Sequence, residues 1–418
     1  MRRTGKQSDN SLLALGLFLG LAALILFGLT AGSQKPPVEK PAGEQVQPEN
    51  EVKPLPNIAP TIVEAPNPLF GYEPRPNETR GFIRSLRNPF LSQASPDLMT
   101  ARDKTPIFLY RSLYKAYAAK NGGRPWTVGK QGIGDCVSWG YKHAAEIHLA
   151  VLWENRESSE WREVASEAIY GGSRVEARGG RQAGYGDGSS GGAAAKWLSE
   201  AGGIIFRQPY PGFIDGRDKQ IIDLSEYSAQ RAKDWGNFGC GGRDDAGRLD
   251  GLAKENAIKS VAVCRTSEEA AAAISSGYPV AVCSGQGFTS TRDADGFCKA
   301  AGRWSHCMVF IGVRYEPKPG LLCLNSWGPD WVKGPKYPED QPDGSFWVEE
   351  KTAAAMLSGE DSFSVSGAKG FPYRDLRHGD WVRIAPPARI GLESALVRGG
   401  SFVPLDSRKT ADEFSLAP

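Results

Sequence analysis

A chain of 418 residues is longer than one average domain, so one large domain with appendages, or two small ones, is expected. Lys plus Arg number 50 against 48 for Asp plus Glu, and a net charge of +2 gives no electrostatic basis for binding nucleic acid. Apolar residues at 40% exclude a wholly disordered chain, and seven cysteines are too few for a disulfide scaffold of this length.

Residues 1–11 are polar and carry Arg2, Arg3 and Lys6. Leu12 to Ala31 then runs without a charge. At ~1.5 Å per residue this run matches the ~30 Å hydrocarbon core of a bilayer. It is longer than a signal-peptide core, and Leu29-Thr30-Ala31 is a poor cleavage site. Residues 12–31 are therefore expected to be a transmembrane signal anchor, with a cytoplasmic N-terminus and the rest of the chain extracytoplasmic. Secretion after signal cleavage is the alternative. Residues 32–103 are rich in Pro and charge and predict an extended linker.

The main domain is expected over 104–373. Ile107 to Lys120 has helical spacing and stops at Asn121-Gly122-Gly123. Further helices are predicted from Cys136 to about Asn155, from about Ser159 to Tyr170, over Ala193 to Ala201, and over Ser267 to Ser276. A Gly-rich loop precedes the third, and Gly212 to Ser260 is polar and reads as an insertion. Strands are predicted at Pro279 to Cys283, His306 to Tyr315, Leu321 to Asn325 and Gly344 to Glu349. Helices first and strands second indicate an α+β fold. The tail, 374–418, has no sustained period and reads as irregular.

The chemistry begins at Gln131-Gly132-Ile133-Gly134-Asp135-Cys136. A Gly-rich turn brings Cys136 to the start of a helix, where the helix dipole favours a thiolate. The competing reading is a buried structural Cys with Asp135 as helix cap. A thiolate of this kind needs a base, and the chain has four histidines. His143 is ~10 Å up the same helix and His148 lies further on, so both read as structural. His378 lies in the tail. His306, heading an apolar strand, is left. Strand, turn and strand then return Asn325 beside His306, where its amide oxygen can accept the ring N–H. Trp327 can shield that bond from water.

Cys136, then His306 before a strand, then Asn325-Ser326-Trp327-Gly328, resembles the papain-family cysteine peptidases in order and local sequence. Ser189-Ser190-Gly191-Gly192 resembles the family's cleft wall, Gln208-Pro209-Tyr210-Pro211 its Tyr-Pro-Tyr turn, and Phe371-Pro372-Tyr373 its closing segment. The likeness spans about Trp126 to Tyr373. It implies a two-lobed domain, with a helical left lobe carrying Cys136 and a β-rich right lobe carrying His306 and Asn325. It also implies Cys136, His306 and Asn325 as the catalytic set, Gln131 as oxyanion donor, and Gly191, Gly192 and Trp327 in the substrate cleft. Three departures stand out. Gln131 lies five residues before the Cys instead of six, and Val137 stands where the family has Trp. The separations from Cys136 to His306 and Asn325 exceed the ~130–150 residues usual for the family.

Cys283, Cys307 and Cys323 sit in apolar strands and read as core thiols. Cys240, Cys264 and Cys298 lie in or near loops, and one pair among them is open to bridging if the domain lies outside the membrane. No zinc spacing and no phosphate loop is present, so no metal and no cofactor is expected. The expected function is a membrane-tethered thiol endopeptidase acting on a peptide or protein. The rivals are an inactive binding module of the same fold and a thiol hydrolase of cell-wall peptides or amides.

Overall fold

The computed structural model describes residues 69–101, 103–180, 186–243 and 249–382. The chain divides into units Met1–Ile62 and Val63–Pro418. The expected anchor at 12–31 lies outside the described residues, among which no helix is long and apolar enough to cross a membrane.

The linker expected over 32–103 does not hold for its last third. Three helices form there: α1 (Pro76–Ser85), α2 (Leu91–Ala94) and α3 (Pro96–Ala101). Pro76 and Pro96 open α1 and α3, where proline's missing N–H costs nothing, so they start helices instead of extending a spacer. Phe82, Ile83, Leu91 and Leu98 are buried in the domain core. Ile107 to Lys120 is also not one helix. Strand β1 (Ile107–Phe108) pairs with the sheet before α4 (Tyr110–Lys120) begins.

Helix α5 (Cys136–Glu154) is buried on nearly every face, as an apolar helix inside a core must be. It packs against α4, against α6 (Ser166–Arg174), and against the sheet on its other side. The helix expected from Ser159 to Tyr170 is in fact α6, shifted towards the C-terminus. Helix α7 (Gly191–Lys196) follows, capped by Ser190, whose Oγ accepts from the Ala193 amide. The stretch read as an insertion is folded. It holds the hairpin β2 (Pro209–Ile214) and β3 (Ile221–Asp223), then α8 (Ala229–Phe238) and α9 (Leu249–Glu255). Trp235 is buried there, with its indole donating to Asp215 at 2.7 Å.

The second half supplies an antiparallel sheet. Its members are β4 (Ser260–Val263), β5 (Val280–Arg292), β6 (Cys298–Arg314), β7 (Gly320–Leu324), β8 (Ser345–Glu349) and β9 (Phe363–Ser366). The order is β4-β9-β5-β6-β7-β8, with β1 on β6. Helix α10 (Ser267–Ser275) and helix α11 (Glu350–Leu357) flank it. β5 and β6 are longer than their apolar cores suggest, because a hairpin continues past them to Arg292 and Cys298. The α+β reading holds, and helices and sheet share one apolar core. The tail is irregular to 382 apart from a turn at Gly379–Trp381, yet Trp381 is buried and donates to Ser112 Oγ at 2.7 Å.

Candidate active site

Cys136 is the first residue of α5. The turn before it is pinned by the Gln131 amide, which donates to the Ser326 carbonyl at 2.9 Å. A bridge pairs Lys130 with Trp327. The sequence reading left Asp135 as a possible cap, but its side chain makes no cap bond. It accepts instead from Trp139 Nε1 and the Tyr227 hydroxyl. The Cys136 sulfur faces the backbone N–H groups of Cys307 and Gly71. Burial still pushes the thiol well above its ordinary range, the nearby Cys307 adds to this, and the two amides oppose it.

His306 lies on β6 opposite Ser284. Its Nε2 is 2.7 Å from Asn325 Oδ1, and the same oxygen accepts from the Ser326 amide at 2.7 Å. Two donors on one oxygen fix the amide's orientation, so Nε2 carries the proton. Nδ1 is buried with no hydrogen-bond partner and is left as the basic nitrogen. Burial lowers the imidazole to about 4, with the Asn325 bond opposing. The Trp327 ring lies 4.6 Å from the His306 ring, centroid to centroid, and is backed by Trp304 and Trp331. The fold thus brings His306 to Asn325 and Trp327, Gln131 to Ser326, and the Cys136 sulfur to the amide of Cys307, the residue after His306.

Gln131 is held on every side. Its Oε1 accepts from Ser326 Oγ at 2.6 Å, and its Nε2 donates to the Ile133 carbonyl at 2.8 Å and the Leu69 carbonyl at 3.0 Å. Gly191 and Gly192 were expected in the substrate cleft. Both are buried at the start of α7 and give their amides to the Asp361 carboxylate at 3.1 and 2.6 Å. The residue that pairs with a strand in the cleft is Ser189.

That strand belongs to the chain itself. Residues 69–73 thread between Ser189 and Ser305. Glu73 N–H donates to Ser189 O, Ser189 N–H to Gly71 O, and the amides of Gly71 and Tyr72 to Ser305 O, at 2.8 to 3.1 Å. The Phe70 ring stands edge-on to His306 and Trp327, at 6.3 and 5.9 Å. Only glycine fits at 71, since a Cβ there would meet the Gly134 carbonyl at 1.8 Å. The Tyr72 side chain hydrogen-bonds to Asp361. The sequence carried one signal of this: Leu69-Phe70-Gly71-Tyr72 is an aromatic run inside a Pro-rich stretch. It said nothing of Asp361 or Tyr227.

His143 and His148 are buried in the helix packing. His148 is buried, with Nδ1 bonding to the Gly277 carbonyl and Nε2 accepting from the Gly367 amide, both at 2.9 Å. Buried His143 lies 3.5 Å from the Glu146 carboxylate. All seven cysteines are buried and unbridged, so the pairing considered among Cys240, Cys264 and Cys298 is not formed. Among the described residues no cluster of His, Cys, Asp and Glu could hold a metal ion. A cavity of about 650 Å³ lies behind the turn, lined by Trp126, Lys142, His143 and Tyr227 among others. Cys136 is not among the residues that line it.

No protein-family model matches the sequence, and no curated protein matches it. Among solved structures it is similar to xylellain, a cysteine protease from Xylella fastidiosa, at 14% identity and a TM-score of 0.40, covering 72% of this chain and 91% of that one. It is also similar to procathepsin L 3 of the Tenebrio molitor larval midgut, at 13% identity and 0.39, covering 72% and 83%. A procathepsin B from Trypanosoma congolense stands at 12% identity and 0.40, covering 71% and 86%.

Proposed function

We propose that the chain is a thiol peptidase whose cleft is closed, in this conformation, by its own residues 69–73. The observation that carries the reading is the His306–Asn325 bond at 2.7 Å, which leaves Nδ1 without a partner, with Cys136 at a helix N-terminus and its sulfur facing the amide of Cys307, the residue after His306. That peptide is the substrate is supported by the strand already in the cleft, held through backbone bonds to Ser189 and Ser305.

In the opened cleft, Cys136 gives its proton to His306 Nδ1, and the thiolate attacks the scissile carbonyl carbon. The oxyanion takes hydrogen bonds from Gln131 Nε2 and the Cys136 amide. His306 returns the proton to the leaving amine. Water then attacks the thioester, with His306 as base, and frees the acid product. Asn325 holds the ring and Trp327 covers the bond. In the closed cleft both partners are dry and neutral, since burial raises the thiol and lowers the imidazole.

The proposal extends to a membrane tether over residues 12–31. Retention in the membrane pellet after an alkaline wash supports it, and release of the intact chain overturns it. For the chemistry, the full chain is incubated with a peptide library and with peptidoglycan fragments, beside Cys136→Ala. Turnover of peptides, lost in Cys136→Ala, is expected. Turnover of the fragments alone favours the cell-wall reading. Burial of the Cys136 thiol favours the inactive binding module, and absence of both turnover and electrophile labelling with the cleft opened would establish it.

A further inference from the structure

Strands β5 and β6 set Cys283 directly opposite Cys307. Neither amide bonds across the pair. Cys283 N–H donates to Ser362 Oγ at 3.1 Å, and Cys307 N–H faces the Cys136 sulfur. This makes it a non-hydrogen-bonded antiparallel pair, the kind whose Cα atoms lie ~4.5 Å apart with side chains closest. That separation falls within the ~4.4–6.8 Å a disulfide spans. The two sulfurs are 2.7 Å apart. Helix α5 leaves room for them through Gly140, where a Cβ would meet the Cys307 sulfur at 2.9 Å. Cys323 faces the Met308 thioether at 3.7 Å instead.

We propose that Cys283 and Cys307 are a redox-active dithiol beneath the cleft floor, oxidised to a disulfide by exchange with a small-molecule disulfide. One thiol, as thiolate, attacks a sulfur of R–S–S–R. The old S–S bond breaks, the departing thiolate takes up the proton, and a mixed disulfide remains. The second thiol attacks the protein sulfur of that mixed disulfide, forming the Cys283–Cys307 bond and releasing a second R–SH. Two thiols are oxidised and one small disulfide is reduced, with two electrons transferred. The amides of Gly71 and Tyr72 bond to Ser305, two residues before Cys307 on β6, and Tyr72 interacts electrostatically with both cysteines, so the covering strand lies over this end of the pair. Oxidation is therefore gated by departure of residues 69–73. The pair stands on strand register and sulfur geometry, independently of any peptidase activity.

The test uses the full chain with Cys136→Ala, which leaves six cysteines, with and without Tyr72→Ala. Both are incubated in graded mixtures of reduced and oxidised glutathione, sampled over time to equilibrium, quenched in acid, alkylated and mapped by mass spectrometry. With Tyr72→Ala, two of the six alkylations are lost and a peptide cross-linked through Cys283 and Cys307 appears. With Tyr72 present, the same cross-link forms at least tenfold more slowly. Six alkylated cysteines, glutathione adducts alone, or a cross-link through other cysteines in the uncovered variant would overturn the proposal. Equal rates would overturn the gating. Should Tyr72→Ala not fold, the Cys136→Ala chain is refolded from denaturant in the same mixtures, where the absence of the cross-link is equally decisive.

Discussion

The Gln131 side-chain amide donates to the backbone carbonyl of Leu69 at 3.0 Å. The group expected to stabilise an oxyanion is thus occupied by a carbonyl of the chain itself. The same amide nitrogen is anchored on Ile133 and its oxygen on Ser326, so the missing turn residue has not left the side chain loose.

Removing one oxyanion donor typically costs ~10²–10³ in turnover. Gln131→Ala should lower kcat by about that factor, with Cys136 still labelled by a thiol electrophile. Lys130→Ala, which alters an exposed side chain on the same turn, should stay within about threefold of the parent. Steady-state kinetics on one peptide substrate decides it, and the reverse ranking would move the donor to Lys130.

Phe70 and Tyr72 hold the covering strand through the Trp327–His306 face and Asp361. Aromatic contacts contribute ~0.5–1.5 kcal/mol each beyond burial. Phe70→Ala with Tyr72→Ala should therefore raise the rate of Cys136 labelling by roughly tenfold or more. Mass spectrometry of timed samples measures it. An unchanged rate would mean the strand does not control access.

Asp361 accepts from Thr79 Oγ1 on α1 at 3.0 Å and from the amides of Gly191 and Gly192. Its loss leaves these three buried donors and the Tyr72 hydroxyl without an acceptor, each costing ~1–3 kcal/mol unless water enters. Asp361→Ala should destabilise the fold by about 2–4 kcal/mol in denaturant unfolding. It should also speed Cys136 labelling, since α1 follows the covering strand directly. Thr79→Val, which removes one donor along with its need, should cost under about 1.5 kcal/mol.

His306 and His148 are each lowered by burial from 6.5 to about 4. The unfolded chain then binds protons first as the pH falls. The contribution of each is complete above pH 6.5 and is lost as pH drops through about 4, up to about 3 kcal/mol apiece. Unfolding midpoints should fall across that window. His148→Gln should flatten the slope by about one proton, with no change in the pH dependence of labelling at Cys136. An equally steep slope in His148→Gln would show that His148 is already charged in the fold.

Local order along the chain pointed to the candidate set. A Gly-rich turn before an apolar helix leaves Cys136 at a helix N-terminus, and the antiparallel return from β6 to β7 places Asn325 beside His306. These are consequences of short-range geometry, so the residues alone expressed them, including the shortened turn at Gln131. Tertiary structure decided what surrounds that set. Prolines in 69–101 read as linker because composition cannot tell a helix-starting proline from a spacer, and only packing of Phe82, Leu91 and Leu98 does. Gly191 and Gly192 were assigned to the cleft from their neighbours in sequence, but Asp361, distant along the chain, claims their amides. The high thiol and low imidazole follow from burial in the folded chain. Cys283 meets Cys307 only through strand register. Both burial and register sum contacts between remote segments, which no local pattern encodes.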